Sequence, residues 1–421
     1  MVSFAALGSP LLFLASFLLS VLVLAYRWDR TPSVRRVIDT LRDRWTAEHD
    51  WRWLRLWHLL VPLVVLTAAN IVWSVSTVQC ADDSFAILAS GQAALHGGNP
   101  FLVSYCGGSM PDQIPYGLAE VALNALGASA GSVAGVWLVW QLLALAVVPL
   151  VWAVSGADRR YRSVLVGSSI LYLPNIATNI GVENAIVPVS VLAMVFALSQ
   201  TGRRATLWKG LAAFLSTARF PALFPLLGAS SSLRRGRLAH WILVLGLFLG
   251  CAGLAYALWG WDAINIVYLG QFSRTPAESL NLFALLLLQG WLHPSLVSAA
   301  VQGALLLALV LFPIWRGYST LGGIAIPLVG VVAISQYLTY HFVVWLVPVL
   351  LLGPRVNGWL LAYGTAAFLD ETYGVWYLGL GHGVWWPYEL AGVLLTVLLL
   401  ALLVRIVREE EARRAPRVAP T

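Results

Sequence analysis

Long apolar runs alternate along this chain with short polar, Arg-rich or irregular segments. Runs of roughly 17 to 25 residues match the thickness of a bilayer core. They fall at about 5–26, 56–78, 131–155, 163–179, 184–200, 240–260, 295–315, 319–336, 341–353, 358–378 and 387–407. The pattern predicts an all-α, polytopic membrane protein of about eleven transmembrane helices, several of them short enough to need tilt or kinks.

Two stretches break the alternation. In 79–130, Asp83, Ile87, Gly91 and Ala94 share a face at helical spacing, and Gly97-Gly98 followed by Pro100 ends that helix. Gln113 to Leu126 predicts a second short helix, lying on the membrane and shaping a cavity at its surface. In Thr206 to Leu227, about twenty apolar or small residues begin and end beside basic clusters of the same side. A re-entrant hairpin broken at Phe220-Pro221 reconciles these facts, because non-helical backbone at membrane depth survives only when buried in protein or facing a wet cavity.

Composition sharpens this reading. Of 421 residues, 59% are hydrophobic and 11% charged, which excludes a soluble domain. Met1 to Tyr26 lacks a basic start and a small-residue cleavage site, and Arg27, Arg30, Arg35 and Arg36 follow it. It therefore reads as a retained first helix with its N-terminus outside. With the 27–56 loop cytoplasmic, 24 of the 26 basic residues lie inside, including those of the 408–421 tail. The loop itself reads as an amphipathic surface helix or a solvated linker.

The net charge of +7 is thus a topology signal, and Arg residues scattered over short loops argue against nucleic acid as a partner. The exceptions are Arg219 and Arg274. Cys80 and Cys106 share the 79–130 outer loop and are either a bridge or two free thiols, while Cys251 reads as a small core residue.

The candidate chemistry gathers on the outer side. Asp82-Asp83 stands where the 56–78 run leaves the membrane, and a carboxylate there is either a general base at a cavity mouth or a solvated helix cap. No ligand-spaced His or Cys cluster accompanies it, so no metal is expected. Arg219 lies within an apolar run, where a cation costs about 3 kcal/mol on insertion scales, and needs an anion or water. Its ligand is a phosphate, or a buried acid such as Glu183.

Gly181-Val182-Glu183-Asn184 offers Glu183 and Asn184 to sugar hydroxyls, or caps the helix that follows. Tyr337, Tyr340 and His341 interrupt two apolar runs, where His341 is a donor to a departing phosphate or a member of an interfacial belt. Arg274 is a lesser candidate in the loop Gln271 to Glu278.

Taken in order, these features resemble the GT-C membrane glycosyltransferases. They are an outer-loop Asp, a Gly-Gly-Asn-Pro-aromatic helix end, a Gly-x-x-Asn turn, a basic residue before an aromatic-Pro step and a late Tyr-x-x-Tyr-His. The pattern is most similar to the polyprenyl-phosphomannose-dependent mannosyltransferases and covers about residues 57 to 353. The resemblance implies metal-independent, inverting transfer from a polyprenyl-phosphate sugar to a glycolipid or glycan acceptor on the outer membrane face.

It assigns the base to Asp83, with Asp82 as fallback, and the donor phosphate to Arg219 and His341; Arg274 is the further donor-phosphate candidate from the loop. Asn99, Tyr116, Glu183, Asn184 and Tyr340 fall to sugar and acceptor binding. The turn Gly181-Val182-Glu183-Asn184 and the step Ile114-Pro115-Tyr116-Gly117 depart from the family pattern, so the substrate is less defined than the reaction. A lipid-linked oligosaccharide flippase or other transporter is the rival reading, but no internal repeat supports it.

Overall fold

The computed structural model describes residues 83–104, 112–113, 116–154, 182–233, 235–270, 296–334, 345–346, 352 and 385–414, with isolated helical positions between 61 and 72. Asp82, Arg274, Tyr340, His341, Cys80, Cys106 and the 27–56 loop lie outside these residues. So do the runs 5–26, 163–179 and 358–378.

The described chain is helical apart from one two-residue strand pair. Helix α1 (Asp83–Leu95) leads to β1 (Leu102–Val103), which pairs antiparallel with β2 (Asp112–Gln113). Helices α2 (Leu118–Ala128) and α3 (Val133–Val154) follow. After a 3₁₀ turn at Val182–Ala185 come α4 (Ile186–Ser199) and α5 (Gly202–Ser216). A broken segment then runs through 3₁₀ turn Phe220–Ala222, α6 (Leu223–Gly228) and 3₁₀ turn Ala229–Ser232. Helices α7 (Arg237–Trp259), α8 (Trp261–Ile264), α9 (Leu296–Arg316), α10 (Thr320–Ile334) and α11 (Trp385–Arg414) complete the order, with a π-helical turn at Asn265–Leu269 after α8.

Two of the described helices, α3 and α7, are long and apolar enough to cross a membrane. The 23 residues of α7 span about 34 Å at 1.5 Å per residue. Its outer face carries Leu238, Ile242, Leu249, Leu254 and Leu258 at 51% exposure or more. An apolar stripe of that length is a lipid or protein contact and not a water-facing surface.

Helix α1 ends where the glycines predict. Gly97 takes φ +74°, open to glycine at no steric cost, and the Gly98 N–H donates to the Ala93 carbonyl at 2.7 Å. The second short helix begins later than its apolar content predicts, because Gln113 is held in the strand pair and the helix starts only at Leu118. Nor does it simply rest on a surface: α2 packs against both α1 and α3 and buries Ala119, Glu120, Val121 and Asn124.

The break at Phe220-Pro221 is present. Helices α4 and α5 form a tight antiparallel hairpin, joined through Gln200 and Thr201 and tied by the Ser190 hydroxyl donating to the Ala212 carbonyl at 2.8 Å. Helix α5 stops at Ser216, and Thr217 to Arg219 turn the chain into the broken segment. That segment runs back along α7: Phe220 stacks near Phe248 (5.9 Å between ring centres), and the Leu226 carbonyl meets His240 Nε2 at 2.9 Å. Further along, the Ser230 and Ser231 carbonyls accept from Arg237 at the start of α7. The broken segment therefore comes back to the start of α7.

The last helix outruns its predicted span of 387–407, continuing to Arg414 through part of the 408–421 tail. Side chains in that extension grip the α9–α10 turn. Glu410 accepts from the Ser319 N–H and hydroxyl, both at 2.8 Å, and Glu411 accepts from Arg316 (Nε at 2.8 Å) and from the Tyr318 hydroxyl.

Candidate functional site

The turn Thr217 to Arg219 is where the chain leaves α5 for the broken segment, and α7 provides a depth gauge for it. Phe220, the next residue, packs on Phe248, the middle residue of the 23-residue α7. Arg219 is therefore level with the centre of a membrane-length helix. Its backbone is extended (φ −131°, ψ 106°), which takes it out of both helical arms.

The N-terminus of α2 closes over this turn. The Gly117 N–H donates to the Ala218 carbonyl at 2.9 Å, and the Ala119 N–H to Thr217 Oγ1 at 3.3 Å. Backbone approaches so closely here that a Cβ at residue 117 would overlap the Thr217 carbonyl. Glycine at 117 is thus a condition of the docking.

That docking brings three side chains together. The Arg219 guanidinium carbon lies 3.6 Å from the centre of the Tyr116 ring, a cation over an aromatic face. Beneath it, Glu120 approaches on the same guanidinium: Nη2 donates to Oε1 at 3.4 Å, and Nε lies 3.1 Å from Oε2 without hydrogen-bond alignment. Arg219 is 8% exposed and Glu120 is fully buried. Glu120 also sits in the first turn of α2, where the helix dipole favours a negative charge.

Sequence reasoning expected a phosphate or a buried acid such as Glu183 at Arg219. The structure gives it an acid from a different element, Glu120. The sequence did hold a signal for this residue: Glu120 is the one charged residue between Leu118 and Leu126, as Arg219 is between Phe214 and Leu227.

Further polar groups are buried nearby on α1, α2 and α3. Ser90, Asn124 and Gln141 are fully buried, and Asn124 Oδ1 accepts from Trp140 Nε1 at 3.0 Å. Ser90 Oγ and Asn124 Nδ2 have no hydrogen-bond partner among the described residues.

The other expected site residues divide into two groups. Asn184 is near the turn: it begins the α4–α5 hairpin's matching end, α4 touches the Phe220–Ala222 turn, and Asn184 Oδ1 accepts from Trp345 Nε1 at 3.3 Å. Asn99 is not. Its Nδ2 donates to Asp262 at 3.0 Å, its Oδ1 accepts from the Phe101 N–H at 3.0 Å, and Phe101 packs on Trp259 at the far end of α7. Eleven residues separate Trp259 from Phe248, so Asn99 is anchored about 16 Å along the α7 axis from the Arg219 level.

For Asp83 and Glu183 the description covers the backbone, at the start of α1 and in the Val182–Ala185 turn. Ile87, one turn after Asp83, belongs to the same apolar cluster as Ala119, Ala218, Ala222 and Trp345.

No family model matches the chain, and no curated protein matches it.

Proposed function

We propose that this chain is a polytopic membrane glycosyltransferase of the GT-C kind, moving a sugar from a polyprenyl-phosphate donor to an envelope glycolipid or glycan on the outer membrane face. The sugar is mannose or another hexose or pentose. Asp83 takes the proton of an acceptor hydroxyl, with Asp82 as the fallback. The hydroxyl oxygen bonds to the anomeric carbon from the face opposite the phosphate, and the bond from that carbon to the phosphate oxygen breaks. Arg219 and His341, with Arg274 from the loop, stabilise the lipid phosphate as charge accumulates on it. Tyr116, Glu183, Asn184 and Tyr340 surround the sugar and acceptor, and Asn99 serves at the outer rim.

The observation that supports this reading is that segments remote in sequence share one apolar core: Ile87 four residues after Asp83, Ala218 beside Arg219, and Trp345 four residues after His341 all belong to it. A polytopic arrangement is supported by the lipid-length helices α3 and α7 and by the exposed leucines and isoleucine of α7. An ionisable pair level with the middle of α7 is a functional site by default, since its desolvation has to be offset.

The test is transfer of a labelled sugar by purified protein in liposomes supplied with a panel of polyprenyl-phosphate sugars. Wild type should release the lipid phosphate and glycosylate the acceptor, whereas Asp83→Asn should fold and lose transfer. Full activity in that variant would move the base elsewhere. Lipid crossing the bilayer without cleavage would make the protein a transporter.

A further inference from the structure

Between Glu183 and Asp262 the chain holds no acid, yet it has basic residues at 203, 204, 209, 219, 234, 235 and 237. The fold collects several of them at one end. Helices α5 and α7 pack side by side and run in the same direction: Lys209 lies within electrostatic reach of His240, and further along Thr217 meets Cys251. Five residues before Lys209 is Arg204, and five before His240 is Arg235. The starts of the two helices therefore bring their cations to one level.

Arg203, Arg204 and Arg235 are exposed, and among the described residues none of them has an acid within ion-pair distance. A shortage of acids is not general at this end of the bundle. The Ser232 hydroxyl meets the Thr320 hydroxyl at 2.6 Å, which puts the α9–α10 turn and the docked end of α11 beside the start of α7. There Arg316, Arg413 and Arg414 each face a glutamate. One side of this end is charge-balanced, and the other is left positive.

Next to the unbalanced cations the surface turns apolar. Leu207 and Leu211 continue the Arg203 face of α5 at four-residue spacing, and Leu238 and Ile242 open the exposed face of α7. All four are exposed, at 42% or more. A soluble anion would leave that apolar surface uncovered, and an uncharged lipid would leave the cations unmatched. A molecule with an anionic head and an apolar tail matches both at once.

We propose that the starts of α5 and α7 form a site for an anionic phospholipid, with Arg203, Arg204 and Arg235 on its phosphate and Leu207 and Leu238 along its acyl chains. Arginine suits the role because its planar guanidinium donates two parallel hydrogen bonds to phosphate oxygens. Basic clusters beside a membrane-spanning helix attract anionic lipids through their summed charge, and a pocket between helices adds selection of the headgroup. The start of α7 is about 16 Å along its axis from the level of Arg219, so this site is separate from the phosphate site of the proposed sugar transfer and does not depend on that chemistry.

Native mass spectrometry of the full chain, released from nanodiscs of mixed phosphatidylglycerol and phosphatidylcholine, measures which lipid stays bound. Wild type should retain phosphatidylglycerol about tenfold or more over phosphatidylcholine, a preference that falls as salt rises. Arg203→Gln/Arg204→Gln/Arg235→Gln should abolish it. The matched control Arg405→Gln/Arg413→Gln/Arg414→Gln removes the same charge from α11 and should keep it. Equal loss in both variants would reduce the effect to net charge and overturn the site, as would a wild type without preference.

A photoactivatable phosphatidylglycerol locates the lipid on wild type, whether or not the variants fold. Labelling should concentrate at the starts of α5 and α7, and labelling spread evenly over the bundle overturns the proposal. Glycerol phosphate, the headgroup without its chains, is the last arm. It should fail to displace the labelled lipid, and displacement at the lipid's own concentration would make free phosphate the ligand and sink the lipid site.

Discussion

Two arginine and glutamate pairs occupy opposite environments in this protein. Arg219 and Glu120 meet at 8% and 0% exposure, with direct contacts to each other of 3.1 and 3.4 Å, whereas Arg316 and Glu411 meet at 35% and 36% exposure through two shorter hydrogen bonds. If both pairs served only to hold helices together, the buried one would need the better geometry, because burial costs more and only close hydrogen bonding offsets it. The reverse is found. The exposed pair fastens the end of α11 to the α9–α10 turn alongside Glu410 and Ser319. The buried pair is set where α5 turns into the broken segment, and it joins that turn to the start of α2.

The sharpest way to break this contrast is to remove one member of each pair. Glu120→Ala removes the carboxylate beside a buried guanidinium and should destabilise the protein by about 3–5 kcal/mol. Thermal unfolding in detergent measures it, and a loss no larger than that of Glu411→Ala would erase the distinction. Arg219→Gln should lower sugar transfer by about 10² to 10³, the usual effect of losing one donor to a developing negative charge.

Gly117→Ala tests the seam that brings the pair together. Its methyl group meets the Thr217 carbonyl, so the α2 N-terminus has to move, at a cost of about 1–3 kcal/mol. Lipid-phosphate affinity should fall with it. Tyr116→Leu keeps bulk while removing the aromatic face, and should cost about 0.5–2 kcal/mol in stability of the Arg219 site. An unchanged unfolding midpoint would mean that the stacking contributes nothing.

The smallest effect belongs to the exposed clasp. Hydrogen bonds from Arg316 first, then from Tyr318, hold the Glu411 carboxyl down to about 2, against its ordinary value of 4.5. A carboxylate depressed in the folded state stabilises the fold above its ordinary range and loses that contribution as pH falls through its folded value. Docking of the α11 end should therefore be constant at neutral pH and weaken between about pH 4.5 and 2, with Glu411→Gln abolishing that dependence. Hydrogen exchange of the α11 amides over that range reads it out.

Particular elements show how far the sequence could be read. The α1 boundary followed from Gly97-Gly98-Asn99-Pro100, since glycine's freedom and proline's missing N–H act locally. The break after Ser216 and the burial of Arg219 were legible for the same reason: a cation and a Phe-Pro step inside an apolar run allow few arrangements. The start of α2 was placed too early, because the strand pair holding Gln113 depends on Leu102, eleven residues upstream. The docked extension of α11 was also missed, since its acids find their partners on the α9–α10 turn more than ninety residues away.

By itself the sequence determined the all-α class, the end of α1 and the break beside Phe220-Pro221, all products of periodicity, run length and backbone restriction within a few neighbouring residues. Only the tertiary structure decided which acid Arg219 meets and that Tyr116 covers it. Those contacts join residues about a hundred positions apart, and they form because Gly117 lets one backbone come close enough to another, a coincidence in space that no local pattern encodes.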